Sequence, residues 1–168
     1  MTAHEQRLDG KRPAPPARAL SARAYTSREA AQVSGVPFFT IDYWGRTKFL
    51  VPGVAKGAGR GKGRQRMYSY ADVLRLRIAR ELRDQKVSLE TLRAIVHSLG
   101  TVSAELPKAR FVLIGREVEM ARSTAELLAL LRRPGRRTFG VLLDLRAITE
   151  MVRDRARALA DEQRAAGR

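Results

Sequence analysis

The residues best suited to chemistry in this chain are a run of cations. From Tyr43 to Ala71 seven basic side chains occur (Arg46, Lys48, Lys56, Arg60, Lys62, Arg64 and Arg66) with no acidic one among them. Gly57, Gly59, Gly61 and Gly63 interleave with these cations and make the stretch too flexible for a helix, so it predicts the tip of a hairpin. Cations on a flexible hairpin suit phosphate oxygens, which they can neutralise without reading sequence. A nucleotide-binding loop is the rival reading, and its spacing fails. Lys62 is followed by Gly63 where Ser or Thr is required, and Lys56 stands where the first glycine should be. The expectation is a mobile basic wing on a nucleic acid backbone.

Other chemistry is not expected. A catalytic site needs a positioned acid, base, nucleophile or metal. The two histidines, His4 and His97, lie far apart and without a plausible triad or metal partner. No cysteine is present, which excludes disulfides and thiolate metal sites. The chain is therefore read as a non-enzyme with no cofactor and no metal. Thirty-three Lys and Arg against 17 Asp and Glu give a formal net charge of +16. Such a charge favours nucleic acid or an acidic membrane surface as partner; the alternative is merely a solvated, Arg-rich chain. No apolar run approaches the roughly 20 residues of a membrane span, and the start of the sequence lacks the apolar stretch of a signal peptide. A cytoplasmic, nucleoid-associated protein is expected.

Three regions are expected to position these groups. Residues 1–24, with Pro13, Pro15 and Pro16 and no hydrophobic period, read as a disordered basic tail. Residues 25–100 hold every Trp and Tyr and read as one helical domain. Thr26 stands three residues before Glu29, the spacing of a capping box, so a helix should start at Thr26 or Ser27 and stop at Gly35. Pro37 should restart a helix as far as Arg46, making a helix-turn-helix. Ser69, with Asp72 three residues on, should cap a third helix bearing Leu74, Ile78 and Leu82. Ser88 should start a fourth, with Leu89, Leu92, Ile95, Val96 and Leu99 on its apolar face.

Taken together, several stretches resemble the MerR superfamily. They are Tyr25-Thr-Ser-Arg-Glu-Ala-Ala, Ser34-Gly-Val, Thr40-Ile-Asp-Tyr-Trp44, Phe49-Leu50 and Arg66-Met-Tyr-Ser-Tyr-Ala-Asp72-Val-Leu. The resemblance covers about 75 residues and stops near residue 100. It implies a recognition helix in the major groove and a wing on the backbone. The positions it marks for DNA contact include Ser27, Thr40, Tyr43, Arg66 and Tyr68. Val36, Ile41 and Trp44 should be buried, leaving Phe39, Thr40, Asp42, Tyr43 and Arg46 for the groove, with Lys48, Arg60, Lys62 and Arg64 on phosphate. One position departs from the family, because Asp42 stands where an arginine is usual. Asp42 can accept from a cytosine amino group or pair with Arg46 one turn on and orient it.

Residues 101–168 change in kind. Phe111–Ile114 and Glu117–Met120 flank Gly115-Arg116 and predict a hairpin. Ser123, with Glu126 in the capping-box position, should cap a helix over 124–133 whose Leu127, Leu128, Leu130 and Leu131 form the apolar face. Pro134-Gly135 should break it, Thr138–Leu143 should form a third strand, and Asp144 to about Ala165 a last helix. The sequence thus predicts a mainly α protein: a winged helix-turn-helix of about four helices with a small β wing, then a small α/β (ββαβα) appendage. The last helix carries Leu145, Ile148, Val152 and Leu159 at heptad-like spacing, interrupted by Arg155. Either it dimerises, as the resemblance implies, or it packs on its own subdomain. The expected function is a sequence-specific DNA-binding transcriptional regulator, a homodimer on an inverted repeat of double-stranded DNA. The alternative is an antitoxin-like or corepressor factor that captures a protein with residues 101–168, where a small-molecule effector could also sit. No membrane partner is expected. A chain cut after about residue 105 is expected to keep its winged helix folded.

Overall fold

The computed structural model describes residues 22–54, 66–99, 110–114, 117–132 and 140–167. The basic tail, Arg60, Lys62 and Arg64 of the wing, the Gly115-Arg116 turn and the Pro134-Gly135 break lie outside the described residues. The described residues are mainly helical, with six helices and small antiparallel strand pairs.

A short strand, β1 (Ala24–Thr26), leads into α1 (Ser27–Ser34). Thr26 and Glu29 form the capping box: the Thr26 N–H donates to Glu29 at 2.7 Å, and the Glu29 N–H donates back to the threonine hydroxyl at 3.2 Å. Burial pushes the Glu29 carboxyl up, but hydrogen bonds from Thr26, Gln163 and Arg23 outweigh it and hold the group below its usual range. Gly35 ends the helix at φ 74°, in the left-handed region that glycine enters without strain. The Ser34 hydroxyl donates to the Ala30 carbonyl at 2.6 Å and accepts from the Val36 N–H at 3.2 Å, which fixes the turn. Pro37 then opens α2 (Phe38–Arg46).

β2 (Met67–Ser69) pairs antiparallel with β1, Tyr25 opposite Tyr68, and Val54 bridges Met67. That bridge is the root of the predicted wing. α3 (Tyr70–Asp84) and α4 (Leu89–Leu99) follow. The α3 start is built on Asp72, which is fully buried. One of its oxygens accepts from the N–H of Gly53, the N–H of Ser69 and the Ser69 hydroxyl, each at 2.8 Å. Its other oxygen takes Nη1 of Arg75 at 2.8 Å. A Cβ on Gly53 would lie 3.2 Å from this carboxylate, so the close approach of the loop depends on glycine there.

Beyond residue 100 the element order is β3 (Arg110–Ile114), β4 (Glu117–Ala121), α5 (Thr124–Leu131), β5 (Gly140–Asp144) and α6 (Leu145–Ala166). The sheet order is β4-β3-β5, antiparallel throughout. Val112 and Ala121 meet Leu130 and Leu127 of α5 on one face, while Phe111 and Leu143 join the main core.

Three expectations are corrected in this half. On α5, Leu130 is buried, but Leu128 and Leu131 are 45% and 43% exposed, so the leucine face is only half covered. Ser123 caps the helix by accepting from the Glu126 N–H at 3.1 Å, but Glu126 reaches back to the Arg122 N–H at 2.8 Å, one residue beyond a capping box. The third correction is the largest. The heptad-like stripe of α6 does not point outward and does not serve only its own subdomain: α6 packs on α1 and α3. Leu145, Ile148, Val152, Ala156 and Leu159 lie in one core with Val33, Leu74 and Ile78. Polar contacts secure its far end, where Gln163 donates to Glu29 at 2.7 Å and Gln32 donates to Glu162 at 3.3 Å.

Candidate nucleic-acid interface

α2 divides sharply into two faces. Ile41 and Trp44 are 1% and 6% exposed, and the Trp44 ring lies against Phe49 with centroids 5.0 Å apart. On the opposite side Phe39 and Tyr43 are 84% and 58% exposed, and Arg46 continues the same stripe one turn further. Phe39 and Tyr43 are thus left free of the core and available for contact. Val36, expected in the core, is there. Thr40 is half-buried at the flank, and Lys48 is exposed just past the helix end with φ 55°.

Asp42 lies at the edge of this face and holds two arginines. Arg46 Nε is 3.0 Å from one oxygen, and Arg66 Nη1, from the wing root, is 2.9 Å from the other. The predicted pairing with Arg46 is present; the partnership with Arg66, 24 residues away, has no counterpart in the sequence pattern. Gly45 permits it, since a Cβ there would sit 3.1 Å from Arg66 Nη1. Both pairs are partly exposed, so each is worth only ~0–1 kcal/mol of stability. Asp42 thus ties the wing root to α2 while pairing with Arg46.

The structure brings together Asp42, Arg46 and Arg66, and presents Phe39 and Tyr43 beside them. It does not bring Tyr68 to the surface. Its ring is 1% exposed, opposite Tyr25 on the paired strand. Its hydroxyl is buried beside half-buried Ser27 without a well-formed hydrogen bond. Burial pushes that hydroxyl's pKa up, against the opposing effects of Ser27 and Arg66. Phe38 joins the face without having been expected there: it is 40% exposed and meets Phe39 edge-on at 5.8 Å. The doubled Phe at a helix start was the available signal, because two adjacent residues there cannot both face inward.

Two helices joined by a tight glycine turn, together with the paired strands β1 and β2, define a helix-turn-helix domain with a small β element. Residues 25–99 match the model of the MerR HTH family regulatory protein. HTH-type transcriptional regulators of Mycobacterium bovis and of two Mycobacterium tuberculosis strains are each 32% identical to it over 133 residues, 77% of this chain. The chain spans 58% of the length of these relatives. Among the described residues no helix is long and apolar enough to cross a membrane.

If Asp42 acts by orienting, Asp42→Ala should weaken the preferred duplex modestly and leave its preferred bases unchanged. Direct reading would instead relax one base position, by about 1–3 kcal/mol of discrimination. Selection of bound sequences from a random pool, run on both proteins, separates the outcomes. A change confined to one base position would overturn the orienting role.

Proposed function

We propose that this chain is a sequence-specific DNA-binding transcriptional regulator rather than an enzyme. The observation that carries this is the exposed Phe39–Tyr43–Arg46 stripe on a helix whose other face is locked into the core. α2 enters the major groove, where Arg46 and Tyr43 meet base edges, while Lys48 and the wing cations sit on phosphate. Arg66 serves the wing from its root. The protein works as a homodimer on an inverted repeat, with half-sites about one helical turn or a multiple of it apart. The small α/β appendage carries the dimer contact or an effector. Because the apolar stripe of α6 is taken internally, the dimer surface is sought on α5 and the sheet edges. The exposed Leu128 and Leu131 fit capture of a protein partner by residues 101–168, the second reading, and fit a second copy of the chain equally well.

The test is selection of bound duplexes followed by footprinting. An enriched inverted repeat protected on both half-sites is expected; indifference between random and selected duplex would overturn the reading. The wing is tested alongside it. Replacing Arg60, Lys62 and Arg64 together with Ala should weaken all duplexes to a similar degree. The plot of log affinity against log salt should flatten by roughly 0.9 for each phosphate that the variant no longer neutralises. A triple variant that keeps its salt slope but loses its preference for one sequence would show that the wing reads bases.

A further inference from the structure

The loop after α2, together with α3 and α4, lines an open pocket of ≈ 530 Å³ that shares only Lys48 with the proposed DNA contacts. Four basic side chains line it: Lys48, Arg75, Arg93 and His97. Its apolar lining includes Phe49, Leu50 and Val96, all buried. Among the described residues no carboxylate lines it. Arg75 is held by Asp72 at 2.8 Å and still carries a buried Nε–H without an acceptor. Among the described residues, Lys48, Arg93 and His97 have no acidic partner. Arg75 is neutralised by Asp72, whereas Lys48 and Arg93 are exposed and leave this side of the pocket cationic, which favours an anion.

From this we infer a ligand site for a small amphipathic anion: an apolar body lying along Phe49, Leu50 and Val96, with a carboxylate or phosphate head among Arg75, Arg93 and His97. The volume falls within the range of small-molecule sites, which combine an apolar wall with a few convergent polar groups. A phosphodiester backbone would satisfy the cations but has no use for the apolar wall, so the pocket favours the small molecule over nucleic acid. Lys48 joins this pocket to the end of the recognition helix. A ligand engaging it alters the DNA face, and linkage requires DNA to alter ligand affinity by the same factor.

The protein supplies its own reporter. The single Trp, Trp44, contacts Phe49, and Phe49 lines the pocket. The experiment titrates the full chain, without DNA, with octanoate, 1-octanol and inorganic phosphate while following tryptophan emission, so it is independent of the functional reading above. Octanoate should give a saturable change with a midpoint near or below about 1 mM. Octanol and phosphate should each be at least about tenfold weaker, because each offers half of the recognised chemistry. Arg93→Gln, at an exposed position, should weaken octanoate by about tenfold with the circular dichroism unchanged. Lys48→Gln should weaken it in the same direction, so the outcome does not hang on one variant. Equal binding of octanol and octanoate would reduce the pocket to an apolar cleft, and an unsaturable response would remove the site. If phosphate matches octanoate, and Arg93→Gln weakens a random duplex as much as octanoate, the pocket is a seat for the DNA backbone. Each of these three results overturns the proposal.

Discussion

A chain ending after about residue 105 will not hold its winged helix as a cooperatively folded unit. This reverses the expectation drawn from the amino-acid pattern, in which residues 25–100 contained their own core. The core of α1 and α3 is completed by α6, whose Leu145, Ile148, Val152 and Leu159 are all 5% exposed or less and share one cluster with Val33, Leu74 and Ile78. Removing one such Leu or Ile side chain costs about 2–5 kcal/mol. A small domain has only about 5–15 kcal/mol in total, so losing the whole helix exceeds what the remainder can absorb. Thermal denaturation followed by circular dichroism should show a broad, non-cooperative loss of signal for the fragment. Full-length Ile148→Ala should melt cooperatively, with stability lowered by about 2–5 kcal/mol. A sharp transition for the fragment at the temperature of the full chain would refute the shared core.

Asp72→Ala is expected to have the largest effect of any single substitution outside the apolar core, about 3–5 kcal/mol in denaturant unfolding. The reason is the number of donors that converge on one buried carboxylate. Without it the N–H groups of Gly53 and Ser69 lose their acceptor, and Arg75 is left as an unpaired cation with a side chain 17% exposed. An unmade hydrogen bond in the interior costs the desolvation of its donor, and an unpaired charge costs more. Asp72→Asn keeps an acceptor oxygen but not the charge, so its loss should be smaller. Because Gly53 and Ser69 flank the wing root, the alanine variant should also raise hydrogen exchange at residues 53 and 67–69 before global unfolding. A change below about 1 kcal/mol would mean that water replaces the carboxylate at this site.

The parts of the protein legible in its sequence are those set by contacts within a few residues. The capping boxes at Thr26–Glu29 and Ser69–Asp72 need only a hydroxyl and a carboxylate spaced three positions apart. Gly35 announces the turn because its backbone conformation is strained for other residues. The two faces of α2 were readable for a similar reason: at 100° per residue, Ile41 and Trp44 must point away from Phe39, Tyr43 and Arg46. The ion pair of Asp42 with Arg46 is one turn of helix and was likewise visible.

What the sequence left open are pairings between segments far apart in the chain. A heptad-like stripe shows that α6 has an apolar face, but hydrophobic contact is non-directional, so the pattern fits a second chain, its own subdomain or, as found, α1 and α3. For the same reason Leu127, Leu128, Leu130 and Leu131 read as one face, although the single sheet beneath covers only part of it. Tyr68 was placed at the DNA by its position in a motif, whereas strand pairing turned its ring inward. The hold of Arg66 on Asp42 needs the wing root folded back beside α2, and the space for it comes from Gly45, whose missing side chain has meaning only once Arg66 lies there. Local chemistry chose the elements and their exposed faces; the closure of the chain on itself decided which apolar faces were covered and which charges met.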